Sequence, residues 1–316
     1  MYFPYFRGRQ FELIAIRELI EKDLIGEKVI PVIEPVKASS TLVKTLQTLK
    51  DRNKKAVFIV NPAVGRYIED IEDSKNEALK NQIDIIFRQC RLVHEDKIIF
   101  GMILNNDLIK MKADKKKYVG EWAVISKNLD SLPYYEKIFS SEDVVYNLIP
   151  DQSSFRRRIR SNKIMLEDRF LKEERNIDYQ GKESVYSEDH IFYREEKYVG
   201  FSDYSVVGDD YAETGFAPYA IAIHIVYFGE DELLRIKHFV SDSNSDITDL
   251  AGKFSEALEK LIVWNKKRTK PLETFGIKKL TELYEDELYP GLGTVKKLSI
   301  MHHLELISNY LAGDIK

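Results

Sequence analysis

The sequence predicts an α/β fold: a (β/α)8 TIM-like barrel, with a β-hairpin insertion after strand eight and a helical C-terminal segment. Three observations carry this reading. Short runs rich in Val, Ile and Phe recur between residues 1 and 208. Most are followed by a stretch of helical periodicity. A polar or charged residue closes each run, as expected where parallel strands deliver their ends to one face. An open doubly wound sheet is the rival arrangement.

Strand one is the aromatic segment Tyr2–Phe6, which Pro4 restricts to a strand start or edge. After Arg7, Gly8 and Arg9, Phe11–Ile20 carries an amphipathic pattern that predicts the first helix. Strand two, Val29–Ile33, closes on Glu34, and Ser39 or Ser40 is placed to cap a helix over Leu42–Leu49. Strand three, Ala56–Val60, ends on Asn61. Residues 66–76 read as a loop, and Leu79, Ile83, Ile86, Phe87 and Cys90 share a helical face that predicts a core position for Cys90. Strand four is Ile98–Leu104, ending on Asn105. Strand five is Trp122–Ile125, ending on Ser126. Strand six is Val144–Ile149, with Asn147 or Asp151 at its end. A short basic helix with Arg156, Arg157, Arg158 and Arg160 precedes strand seven, Lys163–Leu166, which ends on Glu167, Asp168 and Arg169. Strand eight, Tyr198–Phe201, ends on Ser202 and Asp203.

After the eighth strand come two extended runs, Ala220–Tyr227 and Leu233–Val240, which a turn joins into a hairpin. Helices are predicted over Asp246–Lys266 and from a Thr294 cap to Gly313. The whole is read as one domain, 1–316: strands and connecting helices to 208, the hairpin over 209–245, and C-terminal helices over 246–316.

The 316 residues hold 48 Lys and Arg against 52 Asp and Glu, a net −4 that supplies no field for generic nucleic-acid binding. One cysteine, Cys90, excludes an internal disulfide framework and a Cys-based zinc site. The longest apolar stretch without charge, Gly215–Gly229, is fifteen residues, against roughly 18 for a membrane span. Met1 leads into Tyr2, Phe3 and Pro4 without a basic segment, so no secretory signal and a cytoplasmic setting are expected. Phosphate-loop, nucleophile-elbow, zinc-helix and dinucleotide-fingerprint patterns are absent, so no nucleotide cofactor is expected.

The candidate chemistry lies at the predicted strand ends. Glu34, Glu167 and Asp203 are oxygen donors suited to Mg2+ or Mn2+, or to acid/base work; the competing reading pairs them with Arg7, Arg9 or Arg169 as rim ion pairs. Arg7, Arg9 and Arg169, with Asn61, are placed to bind an anionic group. His224 and His238 join the catalytic candidates on one condition. A four-residue hairpin loop sets His224 opposite Lys237, whereas a three-residue loop, Glu230–Glu232, sets the two histidines face to face. The second register is favoured because it gathers Ala220, Ala222, Val226, Leu234, Ile236 and Val240 on one apolar face. Even then, mutual hydrogen bonding competes with a metal or proton-sharing role. His302 and His303 stand about 100° apart on a helix and make no i, i+4 metal pair. His94 and His190 lie in polar sequence and read as surface residues.

Four segments, YFPYFRGRQFEL at Tyr2–Leu13, IPVIEP at Ile30–Pro35, GFSD at Gly200–Asp203 and IKHFVSD at Ile236–Asp242, resemble the phage-type Beta protein family nearly end to end. The resemblance implies a bacterial or prophage cytoplasmic protein from mobile or phage-defence neighbourhoods, and it supplies no catalytic residues. Two functions are therefore expected alternatives. One is a hydrolase or lyase, phosphodiesterase-like, acting on a small anionic or phosphorylated substrate at the strand C-termini with metal assistance. The other is a non-catalytic barrel that binds a partner protein or nucleic acid through the hairpin and the basic helix. Neither involves a membrane.

Overall fold

The computed structural model describes residues 1–92, 97–140, 143–212 and 217–313, with backbone alone for Cys90, Arg91 and Leu92. The expected core placement of Cys90 and surface placement of His94 fall outside the described residues. The chain divides into two compact units, Met1–Glu167 with Asp189–Tyr204, and Asp168–Glu188 with Ser205–Lys316.

The first unit is a parallel barrel. Its strands are β1 (Tyr5–Phe6), β2 (Val32–Ile33), β3 (Ala56–Ile59), β4 (Ile98–Ile103), β5 (Trp122–Ile125), β6 (Val144–Ile149) and β7 (Lys163–Leu166). After β8 (Glu183–Ser187), which belongs to the second unit, β9 (Gly200–Ser202) completes the order β1-β2-β3-β4-β5-β6-β7-β9. The ends join: the amides of Phe3 and Tyr5 donate to the carbonyls of Phe201 and Asp203, both at 2.8 Å, and Phe201 N donates to Met1 O. This closure distinguishes the molecule from an open doubly wound sheet.

Helices α1 (Gln10–Glu21), α2 (Ser40–Asp51), α3 (Tyr67–Glu72), α4 (Glu77–Leu92), α5 (Leu108–Lys117), α6 (Tyr135–Ile138), α7 (Ser153–Arg158) and α8 (Asp189–Phe192) alternate with the strands. Ser39 caps α2, its hydroxyl accepting from Leu42 N at 3.2 Å. Residues 66–76, expected as a loop, contain α3 and a 3-10 turn over Ser74–Asn76. Six residues with Tyr67 alone buried are too few to display a period. His190, expected at the surface, is buried within α8.

Strand parity sets the barrel core. Phe3 and Tyr5, Ile30 and Val32, Val57 and Ile59, Ile99 and Ile103, Ala123 and Ile125, Ile164 and Leu166 alternate inward and form one buried cluster with Leu148 and Tyr204. Gly101 falls between Ile99 and Ile103 on that face. A Cβ there would lie 2.8 Å from Ile59 Cγ1 and 2.9 Å from Val57 Cγ1, so the missing side chain makes room for its neighbours. The outward phase carries large rings, with Phe100 against Phe87 at 5.5 Å and Trp122 against Phe139 at 5.6 Å.

In the second unit, β10 (Ala222–Phe228), β11 (Leu234–Val240) and β8 form a three-stranded antiparallel sheet. The third strand was not expected. Helices α9 (Leu250–Lys266), α10 (Phe275–Glu285) and α11 (Leu292–Ala312) complete the unit. Asp249 caps α9, accepting from Gly252 N at 2.9 Å, and Gly313 ends α11 in a left-handed conformation, φ 92°. From Leu298 to Ser308 every residue of α11 is buried, so this helix is enclosed on all sides rather than amphipathic. His302 and His303 are therefore core residues. His302 Nε2 donates to Val226 O at 2.6 Å and its Nδ1 meets the Thr274 hydroxyl at 2.7 Å; His303 Nδ1 meets Ser205 Oγ at 2.9 Å. Among the described residues no helix is long and apolar enough to cross a membrane.

Two outcomes follow. Gly101→Ala drives a methyl into Ile59 and Val57 and is expected to destabilise the chain by about 1–3 kcal/mol in urea unfolding; an unchanged midpoint contradicts the packing. Burial pushes His302 down to about 4 and His303 to about 3, the latter with help from His302. Both groups are neutral in folded and unfolded chains above pH 6.5. Below it the unfolded chain takes up protons that the fold refuses, so stability falls with pH. Each histidine should cost about 2 kcal/mol between pH 7.5 and 5, and a flat unfolding midpoint over that interval would refute the neutral assignment.

Candidate functional site

The same parity, continued one step past the strand ends, defines the rim of the barrel. Phe3 and Tyr5 lead to Arg7, Ile30 and Val32 to Glu34, Val57 and Ile59 to Asn61, and Ala123 and Ile125 to Lys127. Gly8, at φ 61°, turns the chain away after Arg7; a Cβ there would stand 3.1 Å from Glu34 O.

Glu34 is fully buried. Its Oε2 takes the Arg7 guanidinium in an ion pair and the Tyr5 hydroxyl at 2.6 Å, while Oε1 accepts from Ala63 N at 2.7 Å. Tyr5 holds its proton firmly, because burial and the adjacent carboxylate both raise its pKa. Arg7 and Glu34, expected as anion clamp and metal ligand or catalyst, are thus committed to each other. Asn61 is committed too, donating to Ile103 O at 2.8 Å and accepting from Ile103 N at 2.9 Å across β3 and β4. Arg9 opens α1, where its backbone N donates to Glu12 Oε2 at 3.1 Å.

Glu167 and Asp203 do share the C-terminal end with Glu34, but they have the opposite parity. Leu166 and Tyr204 face the barrel interior, so their neighbours Glu167 and Asp203 face out. Asp203 Oδ1 accepts from the hydroxyl of Tyr2, itself outward and stacked on Phe201 at 5.1 Å. Glu167 Oε1 accepts from Asp151 N at 2.7 Å. Among the described residues no group of three or more His, Cys, Asp and Glu is placed to hold a metal ion. The arrangement therefore gives the expected Mg2+ or Mn2+ triad no support. Asn147 does not mark a strand end: it pairs with Lys163, the first residue of β7, and its amide donates to Ser161 O at 3.0 Å. Arg156 of the basic helix is paired with Asp151, which also takes the Tyr198 hydroxyl at 2.7 Å. Arg169 and Asp168 belong to the second unit, where Asp168 accepts from Phe170 N and Asp209 N.

Lys127 is the residue the strand-end reading missed. Its strand, β5, lies opposite β1 in the eight-stranded order. Yet its ammonium sits 5.7 Å from the Tyr5 ring and 4.9 Å from the Tyr204 ring, so the side chain reaches across the mouth. Arg7 lies over the same two rings at 5.4 and 5.7 Å, and the rings are 4.9 Å apart. Lys127 is exposed, in contrast to the buried Arg7. The signal was available: Ala123, Ile125 and Lys127 are spaced by two.

The hairpin adopts the favoured register. His224 lies opposite His238, and Phe228 opposite Leu234. Gly229 N donates to Leu233 O at 2.9 Å across the three-residue loop, with Glu232 in the left-handed conformation at φ 62°. The histidine Nδ1 atoms are 2.7 Å apart. Both rings are half-buried, and their burial pushes His224 down to about 3 and His238 to about 4, so both are neutral at pH 7. No family model matches this chain, and neither curated proteins nor solved structures gave a match.

Replacing Arg7 tests the rim. Arg7→Met leaves Glu34 buried beside Tyr5 and Ala63 alone and should cost about 3–5 kcal/mol. Adding Glu34→Gln should restore part of this loss. Additive losses in urea unfolding would show that the two side chains are not coupled.

Proposed function

We propose that the first unit is an anion-binding barrel that receives a small phosphate- or carboxylate-bearing ligand at its strand C-termini. The observation that carries this reading is Lys127, exposed and drawn across the mouth so that its ammonium stands over Tyr5 and Tyr204. Arg7 adds a second cation over those rings, held at the rim by Glu34. Lys127 is the exposed one of the two, and Tyr5 and Tyr204 form the floor beneath it. The C-terminal end is where barrels of this kind build their sites, since the loops there leave the scaffold free to vary.

Binding is favoured over metal-assisted hydrolysis because each expected carboxylate already accepts a local hydrogen bond and the three differ in parity. A bacterial cytoplasmic setting, as the Beta protein family resemblance implies, is compatible with this reading.

Titration calorimetry with inorganic phosphate and then simple phosphomonoesters tests it. Saturable binding is expected, weakened about tenfold or more in Lys127→Ala, the loss of one charge-assisted hydrogen bond. The thermal midpoint should hardly move, because the side chain is exposed. Absence of binding, or equal affinity in the variant, rejects the proposal.

A further inference from the structure

The second unit carries a chelating geometry of its own. Ile221 with Ser241 and Gly229 with Leu233 are hydrogen-bonded pairs of the β10–β11 ladder, each linked at 2.9 Å. Counting inward by two makes His224 and His238 a non-hydrogen-bonded pair, the position where opposed side chains approach most closely. Their rings lie 4.9 Å apart at 77°, with Nδ1 facing Nδ1 at 2.7 Å. Phe170 and Tyr179 pack against both rings, at 5.0 and 6.4 Å and at 4.7 and 4.6 Å, and restrict their rotation.

We propose that His224 and His238 form a two-imidazole site for a divalent transition metal of the Zn2+, Ni2+ or Cu2+ class, with water completing the coordination.

Imidazole nitrogen suits these ions, whereas Mg2+ and Mn2+ prefer oxygen. With metal–nitrogen bonds of about 2.0–2.1 Å at a tetrahedral angle, the two nitrogens must stand about 3.3 Å apart. The rings therefore need to open by less than about 1 Å, a small change of side-chain torsion. In the metal-free pair one Nδ1–H donates to the other Nδ1. On chelation that histidine moves its proton to Nε2, both Nδ1 lone pairs face the metal, and no proton is released overall. Neither residue is fully buried, so water can supply the remaining ligands. The nearby cations are largely offset: Lys182 is paired with Glu173 at 2.5 Å, and Lys237 with Glu183. Lys296 also lies near His224.

The test is titration of the full chain with ZnCl2 at pH 7.5, by calorimetry and by NMR of the histidine imidazole signals. One Zn2+ per chain is expected, with the His224 and His238 resonances shifting together and those of His302 and His303 unmoved. His238→Asn should weaken the affinity at least tenfold. The NMR arm uses the unaltered chain, so a variant that fails to fold does not blunt the test. No saturable binding below about 1 mM, weaker than any useful site, or binding that leaves both resonances in place, overturns the proposal. The site lies wholly within the second unit, so its failure is independent of phosphate binding by the first.

Discussion

Closure of the barrel by the segment Tyr2–Phe6 is the constraint on which the first unit depends. A parallel sheet with a free edge would expose unpaired amides and carbonyls, and here the Tyr2–Phe6 segment satisfies both edges at once. Its odd amides, Phe3 and Tyr5, donate to the β9 side, while its even carbonyls, Tyr2, Pro4 and Phe6, accept from Ile30, Val32 and Glu34. Tyr2 N donates to Lys28 O, and Pro4 lacks the amide that would continue that series. The segment is thus an interior strand missing one bond, not the edge its proline suggested. This missing link coincides with the division of the strand into a bridge at Tyr2 and a short pair at Tyr5–Phe6.

Closure also fixes parity. Once Phe3 and Tyr5 point inward, Arg7 must follow on the same face, and Glu34 arrives beside it because β2 runs parallel in register with β1. A charged pair buried at the top of an apolar column has little intrinsic stabilising value, since desolvation of both groups offsets their attraction. Its geometry is nevertheless restrictive: two acceptor oxygens are filled by a guanidinium, a phenol and a backbone amide. Tyr5 is thereby anchored with its ring toward Tyr204, giving Lys127 a surface to cross.

Most of the fold was legible in the sequence. Five of the eight barrel strands run for four to six mostly apolar residues, and their order and parallel sense followed from the helical periods between them. The strand Glu183–Ser187 escaped because its burial is confined to one end, leaving no alternation to read. The rim was only half legible. A rule that counts any polar residue after a strand admits both phases, and it placed Glu167 and Asp203 with Glu34 although they face the other way. Applying the period of two that sets the core would have excluded those two and selected Lys127, whose separation from Ile125 by a serine hides it from a rule based on adjacency.

The hairpin shows when register can be read from residues. Its two strands could have slipped by one, and nothing in the turn composition alone forbade a four-residue loop. The apolar set decided the matter: only one register gathers Val226, Leu234, Ile236 and Val240 together, and all four are buried. The histidines share that phase and so meet by a constraint imposed elsewhere on the sheet. Two imidazoles brought together in a half-buried position could have repelled each other as cations. Burial lowers their proton affinity until both are neutral, which converts a repulsive contact into a hydrogen bond and leaves nitrogen lone pairs where a charged pair would offer none.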